Sequence, residues 1–202
     1  MDLELAKLSP HEVYKLLIGL VIPRPIAWIS TWSPNGVANC APFSFFNVFS
    51  EEPPLCVIGI NPRSDGETKH SLKNIRRTRE FVVNLVDEAT ANAMHVSSGE
   101  FPEDVSEFAR AGLTPVPAAM VKHPRIAEAA ACLECRVERL LEISGTRVLV
   151  LGEIVLIHAR EGIIDPNSKR VSEEHYRPIG RLFADRYCTT RERFNLPGNV
   201  PA

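Results

Sequence analysis

Polar and apolar positions along the chain fall into a readable order. Ser9-Pro10-His11-Glu12 combines a hydroxyl N-cap, a proline at the first helical position and a glutamate three residues on. Val13, Leu16 and Leu17 then share one face, which predicts a helix over about 9–19. Pro23 and Pro25 end that pattern and start an extended stretch over 26–31. The turn Ser33-Pro34-Asn35-Gly36 joins it to 37–49 and predicts a β-hairpin. A short apolar run at 55–60 predicts a buried strand. Residues 69–79 predict a helix made basic by Arg76, Arg77 and Arg79, and 81–85 predict another strand. Further helices are expected over 87–96, over 102–111 with Gly112 closing the last turn, and over 125–131.

Two long strands follow. Residues 133–143 alternate, with Leu133, Cys135 and Val137 against Glu134, Arg136 and Glu138, which predicts a polar solvent face. Residues 148–158 are apolar on both faces apart from Glu153, which places that strand between two packed layers or in a subunit contact. The tail, about 165–202, is rich in Arg and Pro and is expected to be irregular. With no repeat or linker, 1–202 is expected to be one domain. Many strands joined by short turns, with helices inserted, predict a mainly β fold: a closed barrel with peripheral helices. A doubly wound sheet fits less well, because the first hairpin is antiparallel and no Gly-rich strand-to-helix fingerprint occurs.

Composition narrows the classes. A hydrophobic share of 45%, a charged share of 24% and a net charge of -2 are those of an ordinary soluble globular protein. They give no footprint of a nucleic-acid or anionic-membrane binder. No apolar run approaches the roughly 20 residues that span a bilayer, and MDLELAKLSP lacks a secretory core. Five scattered cysteines do not suggest a disulfide framework, so a reducing cytoplasm is expected.

Two stretches carry candidate chemistry. In 39–50, Asn39, Ser44, Asn47 and Ser50 lie among Phe43, Phe45, Phe46 and Phe49. On a strand, Phe43, Phe45, Asn47 and Phe49 would share one face and Ser44 and Phe46 the other, so neither face is purely apolar. The segment reads either as an edge strand with satisfied polar groups or as a wall for a planar heterocycle, with backbone groups at its edge and aromatics on its face. Arg63, Ser64, Lys69, His70 and Ser71 lie at the entry to the basic helix. They read either as a solvated loop or as a phosphate cradle at a helix N-terminus. Cys132 and Cys135 form a CxxC, but residues three apart on a strand face opposite sides, and no second pair completes a metal site. Six scattered histidines and the lack of a GxSxG leave no metal motif and no protein nucleophile. Such a chain is expected to bind a cofactor that carries the chemistry, so no catalytic side chain is assigned.

PRPIAWISTWSPNGVANCAPFSFFNVFSEEPP (23–54), KHSLKNIRRTREFVVNLV (69–86), GLTPVPA (112–118) and YRPIGRLFADRY (176–187) occur in this order. Together they resemble the flavin reductase-like family with the FMN-binding split β-barrel fold, which includes flavoredoxins and the reductase components of two-component monooxygenases. The resemblance implies a homodimer with FMN, or FAD, near the subunit contact. It implies that the strand Ile29, Ser30, Thr31 and the segment Asn39, Ala41, Pro42, Phe43, Ser44 line the ring and ribityl chain. The turn Lys69, His70, Ser71, beside Arg63, would hold the phosphate. Where the family often has Asp-Thr, this chain has His70-Ser71, which keeps a hydroxyl and replaces a carboxylate. Arg181 and Tyr187 match family positions that cover the flavin or brace the dimer. The implied activity is hydride transfer from NADH or NADPH to flavin, which is then passed to an oxygenase partner. A flavoredoxin-type electron carrier with tightly held FMN, or a non-enzymatic split-barrel protein for another planar ligand, are the alternatives.

Overall fold

The computed structural model describes residues 1–196; residues 197–202 of the tail lie outside the described residues. Helix α1 (Pro10–Leu20) starts from its capping box, with Glu12 N donating to Ser9 Oγ at 3.3 Å and Ser9 N donating to Glu12 Oε2 at 2.8 Å. The strands that follow are β1 (Ala27–Trp32), β2 (Ala38–Phe43), β3 (Phe46–Glu51) and β4 (Pro54–Ile60). Helix α2 (His70–Thr78), β5 (Glu80–Leu85), and helices α3 (Ala91–Ser97) and α4 (Glu107–Ala111) come next. The short pair β6 (Pro115–Val116) and β7 (Arg125–Ile126) precedes the long hairpin β8 (Ala131–Ser144) and β9 (Arg147–Ala159). A last hairpin, β10 (Ile179–Arg181) and β11 (Tyr187–Thr189), lies within the tail expected to be irregular. Its strands are too short to leave a periodic signal.

Seven strands form one sheet in the order β2-β1-β5-β8-β9-β4-β3, every neighbouring pair antiparallel. Consecutive strands β2 and β3 thus lie at opposite ends of the sheet, joined only by Ser44 and Phe45. Among the described residues no ladder joins them, so the barrel is split, as the family resemblance implies, and not closed as the strand pattern alone predicts. The link explains the seam: Phe45 O accepts from Gly59 N of β4 at 2.7 Å instead of prolonging β2. A Cβ on Gly59 would stand 3.1 Å from the Phe45 Cβ, so a glycine suits that crossing. The break also corrects the expected single arm 37–49 and its face assignment. Phe43 and Phe46 both enter the core, and Phe45 and Phe49 are exposed.

Two apolar layers result. The inner one holds Ile29, Phe43, Phe46, Ile58, Phe81 and Val83, closed at one end by Leu72 and Ile75 of α2. The outer one holds Trp28, Val82, Met94, Phe108 and Ile126, where α3, α4 and β6–β7 cover the sheet. Strands β1 and β5 are therefore buried on both faces, and so is the first half of β8. Glu134, expected on a solvent face, is fully buried. It accepts from Ala119 N at 2.7 Å, Met120 N at 2.6 Å, Val121 N at 3.0 Å and His158 Nε2 at 2.5 Å. Burial pushes its pKa up, these donors pull it down, and the donors win. Cys132 lies in the outer layer and Cys135 in the inner, as their spacing on a strand requires.

The helix expected over 125–131 is absent. Arg125–Ile126 pairs with Pro115–Val116, and Ile126 N donates to the buried Asn84 Oδ1 at 2.8 Å, a long-range anchor that outweighs local propensity. Helix α3 starts four residues later than expected because Asp87 and Thr90 close a turn on each other. Helix α4 is only its expected second half, preceded by Ser106, whose Oγ donates to Ala38 O at 2.7 Å. Gly112 ends it with φ +67, as its position predicted.

Candidate functional site

A cleft runs along the free edge of β2, with Pro42 bordering three adjoining cavities of about 400, 220 and 50 Å³. The narrow end lies against the N-terminus of α2. Its floor is a buried network: Asn39 Oδ1 accepts from Ser71 Oγ at 3.0 Å and Thr31 Oγ1 at 3.2 Å, and Thr31 Oγ1 accepts from Asn74 Nδ2 at 3.0 Å. Below it, His123 Nδ1 accepts from Trp32 N at 2.9 Å, so Nε2 carries the proton towards Thr78 Oγ1 at 2.7 Å. Thr78 Oγ1 in turn donates to Asn74 O at 2.9 Å. Burial depresses the His123 pKa to about 4, with Arg77 adding to the effect and Glu80 opposing it.

The first turn of α2 has no side-chain cap and no acidic residue, and its Lys69, His70 and Ser71 line the narrow end, so an uncapped helix N-terminus with its positive dipole end borders the cleft. Lys69 Nζ stands beside them, 2.7 Å from Glu100 Oε1. The Glu100 carboxylate also accepts from the Ser64 hydroxyl and, at 3.1 Å, from Ser64 N. The Lys69 ammonium and these Ser64 donors hold its pKa down at about 2. Arg63 reaches Asp65 Oδ2 at 3.3 Å and Phe101 O at 3.4 Å. His70 Nε2 lies 3.5 Å from Arg63 Nη1; burial, then Arg63, lowers its pKa and favours the neutral ring. Glu107 lines the same end. It is buried, its Oε2 has no partner among the described residues, and burial raises its pKa.

The wide end is built from segments far apart in sequence. Arg24, buried between Pro23 and Pro25, donates to Ile18 O at 2.7 Å, Val21 O at 2.8 Å, Leu182 O at 2.6 Å and Ser44 Oγ at 3.3 Å. One guanidinium thus fastens the end of α1, the β10–β11 loop and the link after β2. Arg181 donates to the Tyr187 hydroxyl and lies 4.6 Å over its ring. Trp28 Nε1 donates to Ser97 Oγ at 2.8 Å and seats the end of α3, which brings Ser98 between the two ends of the cleft.

Eight of the sequence-predicted residues meet at the narrow end: Asn39, Ala41, Pro42 and Phe43 from β2, with Arg63, Lys69, His70 and Ser71. Ser44 joins Pro42 on the wide end. Ile29, Ser30 and Thr31 are fully buried and line none of the three cavities. Ser30 Oγ donates to Pro124 O at 2.5 Å, and Thr31 acts through Asn39. The Ser71 hydroxyl is likewise committed to Asn39, leaving its backbone N–H for the cleft. Sequence reasoning missed Arg24, Glu100 and Glu107. Only Arg24, held between two prolines beside an apolar run, carried a signal.

Among the described residues, no helix is long and apolar enough to cross a membrane, and no three His, Cys, Asp or Glu side chains are grouped to hold a metal. The donor set that is present suits a flat ligand carrying an anion.

A model of the flavin reductase-like domain matches residues 19–180. The chain is 44% identical over 182 residues to an uncharacterized protein of Aquifex aeolicus, covering 90% of this chain and 92% of that one. It superposes with a TM-score of 0.90 on the 2-nitrobenzoate 2-nitroreductase of Pseudomonas fluorescens, 35% identical over 100% of this chain and 99% of that one. On nitrilotriacetate monooxygenase component B from Bacillus cereus the TM-score is 0.91, with 31% identity over 97% of this chain and 98% of that one.

Proposed function

The chain belongs to the flavin reductase-like family, and from that premise we propose that it binds FMN in the cleft beside β2 and reduces it with NADH or NADPH. The general class, an oxidoreductase of flavin chemistry, follows from the family and its structural neighbours. One observation carries the finer reading: the cleft changes character along its length. Its narrow end gathers Lys69, Arg63 and the free N–H groups of α2, as a phosphate needs. Its wide end, at about 400 Å³ within the usual range of small-ligand sites, lies along an unpaired strand edge that suits a planar ring. When bound, the flavin supplies the hydride-accepting centre, and the chain's residues bind and orient it. Asn39, Ala41, Pro42, Phe43 and Ser44 present backbone and side-chain groups along the ring and ribityl chain, with Arg63, Lys69, His70 and Ser71 around the phosphate. Ile29, Ser30 and Thr31 support β2 from behind.

The adjacent exposed residues Val48 and Phe49 of β3 support a homodimer, since a partner subunit would cover them. The five free thiols suit a reducing cytoplasm. The name of component B supports an oxygenase as the partner that takes the reduced flavin.

The test is anaerobic. Purified protein is loaded with FMN, its visible spectrum is recorded, and NADH or NADPH is added. Rapid bleaching with one nucleotide supports the reductase and identifies the donor. A bound flavin that bleaches with neither nucleotide supports the flavoredoxin-type carrier instead. Failure to bind FMN at all removes both readings. Adding 2-nitrobenzoate to the reduced sample then asks whether the acceptor resembles that of the Pseudomonas fluorescens neighbour.

A further inference from the structure

The narrow end already contains an anion of its own. The Glu100 carboxylate takes the Lys69 ammonium at 2.7 Å, Ser64 N at 3.1 Å and the Ser64 hydroxyl, which are donors a phosphate would seek. The second cation, Arg63, is paired with Asp65. Counting Lys69 and Arg63 against Glu100 and Asp65, the charged side chains here sum to zero. Glu107 adds a buried carboxyl, and His70 lies in surroundings that favour its neutral form.

Resting on the reading of this end as a phosphate cradle, we propose that Glu100 is the residue that sets how strongly the chain prefers a phosphorylated flavin. A flavin phosphate must displace the carboxylate from Lys69 and Ser64 or share them with it. The net gain is then an exchange of one anion for another, not the capture of an anion by free cations. Affinity for FMN is held close to that for riboflavin, which lacks the phosphate. The flavin is bound loosely enough to leave after reduction, as a substrate would. Glu100 sits in the short segment between α3 and α4. Its side chain is about one quarter exposed, so it has room to withdraw.

The experiment titrates apo-protein with FMN and, separately, with riboflavin, following the quenching of flavin fluorescence. Glu100→Gln keeps the size of the side chain and removes its charge. It is expected to tighten FMN roughly tenfold, the factor that about 1.4 kcal/mol represents, and to leave riboflavin unchanged. An FMN-to-riboflavin preference that stays the same or falls in Glu100→Gln overturns the proposal, because the carboxylate would then be orienting Lys69 for the phosphate. Lys69→Met separates this failure from that of the cradle itself. If Lys69→Met weakens FMN but not riboflavin, the cradle stands and only the role of Glu100 is at stake. If Lys69→Met changes neither, the phosphate does not lie here, and both readings fall.

Discussion

The two ends of the cleft are built on opposite plans. The narrow end rests on strands buried on both faces, and its polar groups are tied to one another in a continuous network from His123 through Thr78, Asn74 and Thr31 to Asn39 and Ser71. The wide end is assembled from α1, the end of α3 and the β10–β11 hairpin. None of the residues of α1 is buried, and one side chain, Arg24, does most of the fastening. A rigid end suits the fixed geometry of an anion site, whereas a lightly anchored end suits a face that must admit a second planar molecule. Substitution is therefore expected to disturb the two ends by different routes, the wide end through one fastening side chain and the narrow end through a shared network.

The largest separation comes from Arg24→Met. It leaves Ile18 O, Val21 O and Leu182 O without their donor, at about 1–3 kcal/mol for each carbonyl that stays buried. We expect a loss of about 3 kcal/mol or more in urea denaturation, with α1 becoming an early site of proteolysis. An unchanged proteolytic pattern would show that the wide end does not depend on this residue.

Acid sharpens the contrast from the other side. His123 has a folded pKa of about 4, below its ordinary value of 6.5. Between these values the unfolded chain takes up a proton that the folded one refuses. The contribution is thus fully present above about pH 6.5 and is lost as pH falls towards 4, by up to about 3 kcal/mol. Glu134, lowered by its four donors, adds a loss of the same sign below its ordinary value of 4.5. Glu107, raised by burial, works the other way: its contribution is present below 4.5 and is lost as pH rises through its folded pKa. Urea midpoints measured from pH 7.5 to 4 should fall, and His123→Gln should flatten the slope. An equal slope in the variant would remove His123 from the account.

The smallest effect is expected from Ser71→Ala. It deletes one hydrogen bond to Asn39, about 1 kcal/mol of stability, while leaving the backbone N–H of residue 71 in place. FMN affinity measured by fluorescence quenching should barely move. A large loss of affinity with unchanged stability would instead make the hydroxyl a ligand.

Features governed by neighbours in sequence were legible in it. The capping box of α1, the turn with Gly36 at φ +75 and the glycine that ends α4 each depend on groups within four residues. The strands of the large sheet were legible as extended segments, because alternation and apolar runs survive whatever lies across from them, whereas the two- and three-residue strands β6, β7, β10 and β11 were not. What covers each face was not. Glu134 looked solvent-facing because the second layer that buries it is laid down by residues 119–121 and His158. The supposed helix over 125–131 gave way to Asn84 and to a two-residue ladder, neither adjacent to it in sequence. Within the site, β2 and the start of α2 could be named from their own residues, whereas the partner of Lys69 could not. Nothing in Ser98-Gly99-Glu100-Phe101 says which cation that carboxylate will meet.

The seam between β2 and β3 has a meaning beyond architecture. A closed barrel spends the amides and carbonyls of every strand on its two neighbours and has no main-chain groups left over. Among the described residues β2 pairs with no strand but β1, so its outer side is not spent on a second ladder, although Ala38 O there accepts from Ser106 Oγ. Such an edge ordinarily invites another strand to add itself, but Pro42, next to the last residue of β2, withholds a donor and spoils the template. The gap thus discourages a polypeptide while leaving isolated main-chain donors and acceptors for a compact guest. Under the proposed reading, failing to close is what turns a structural strand into a reading edge.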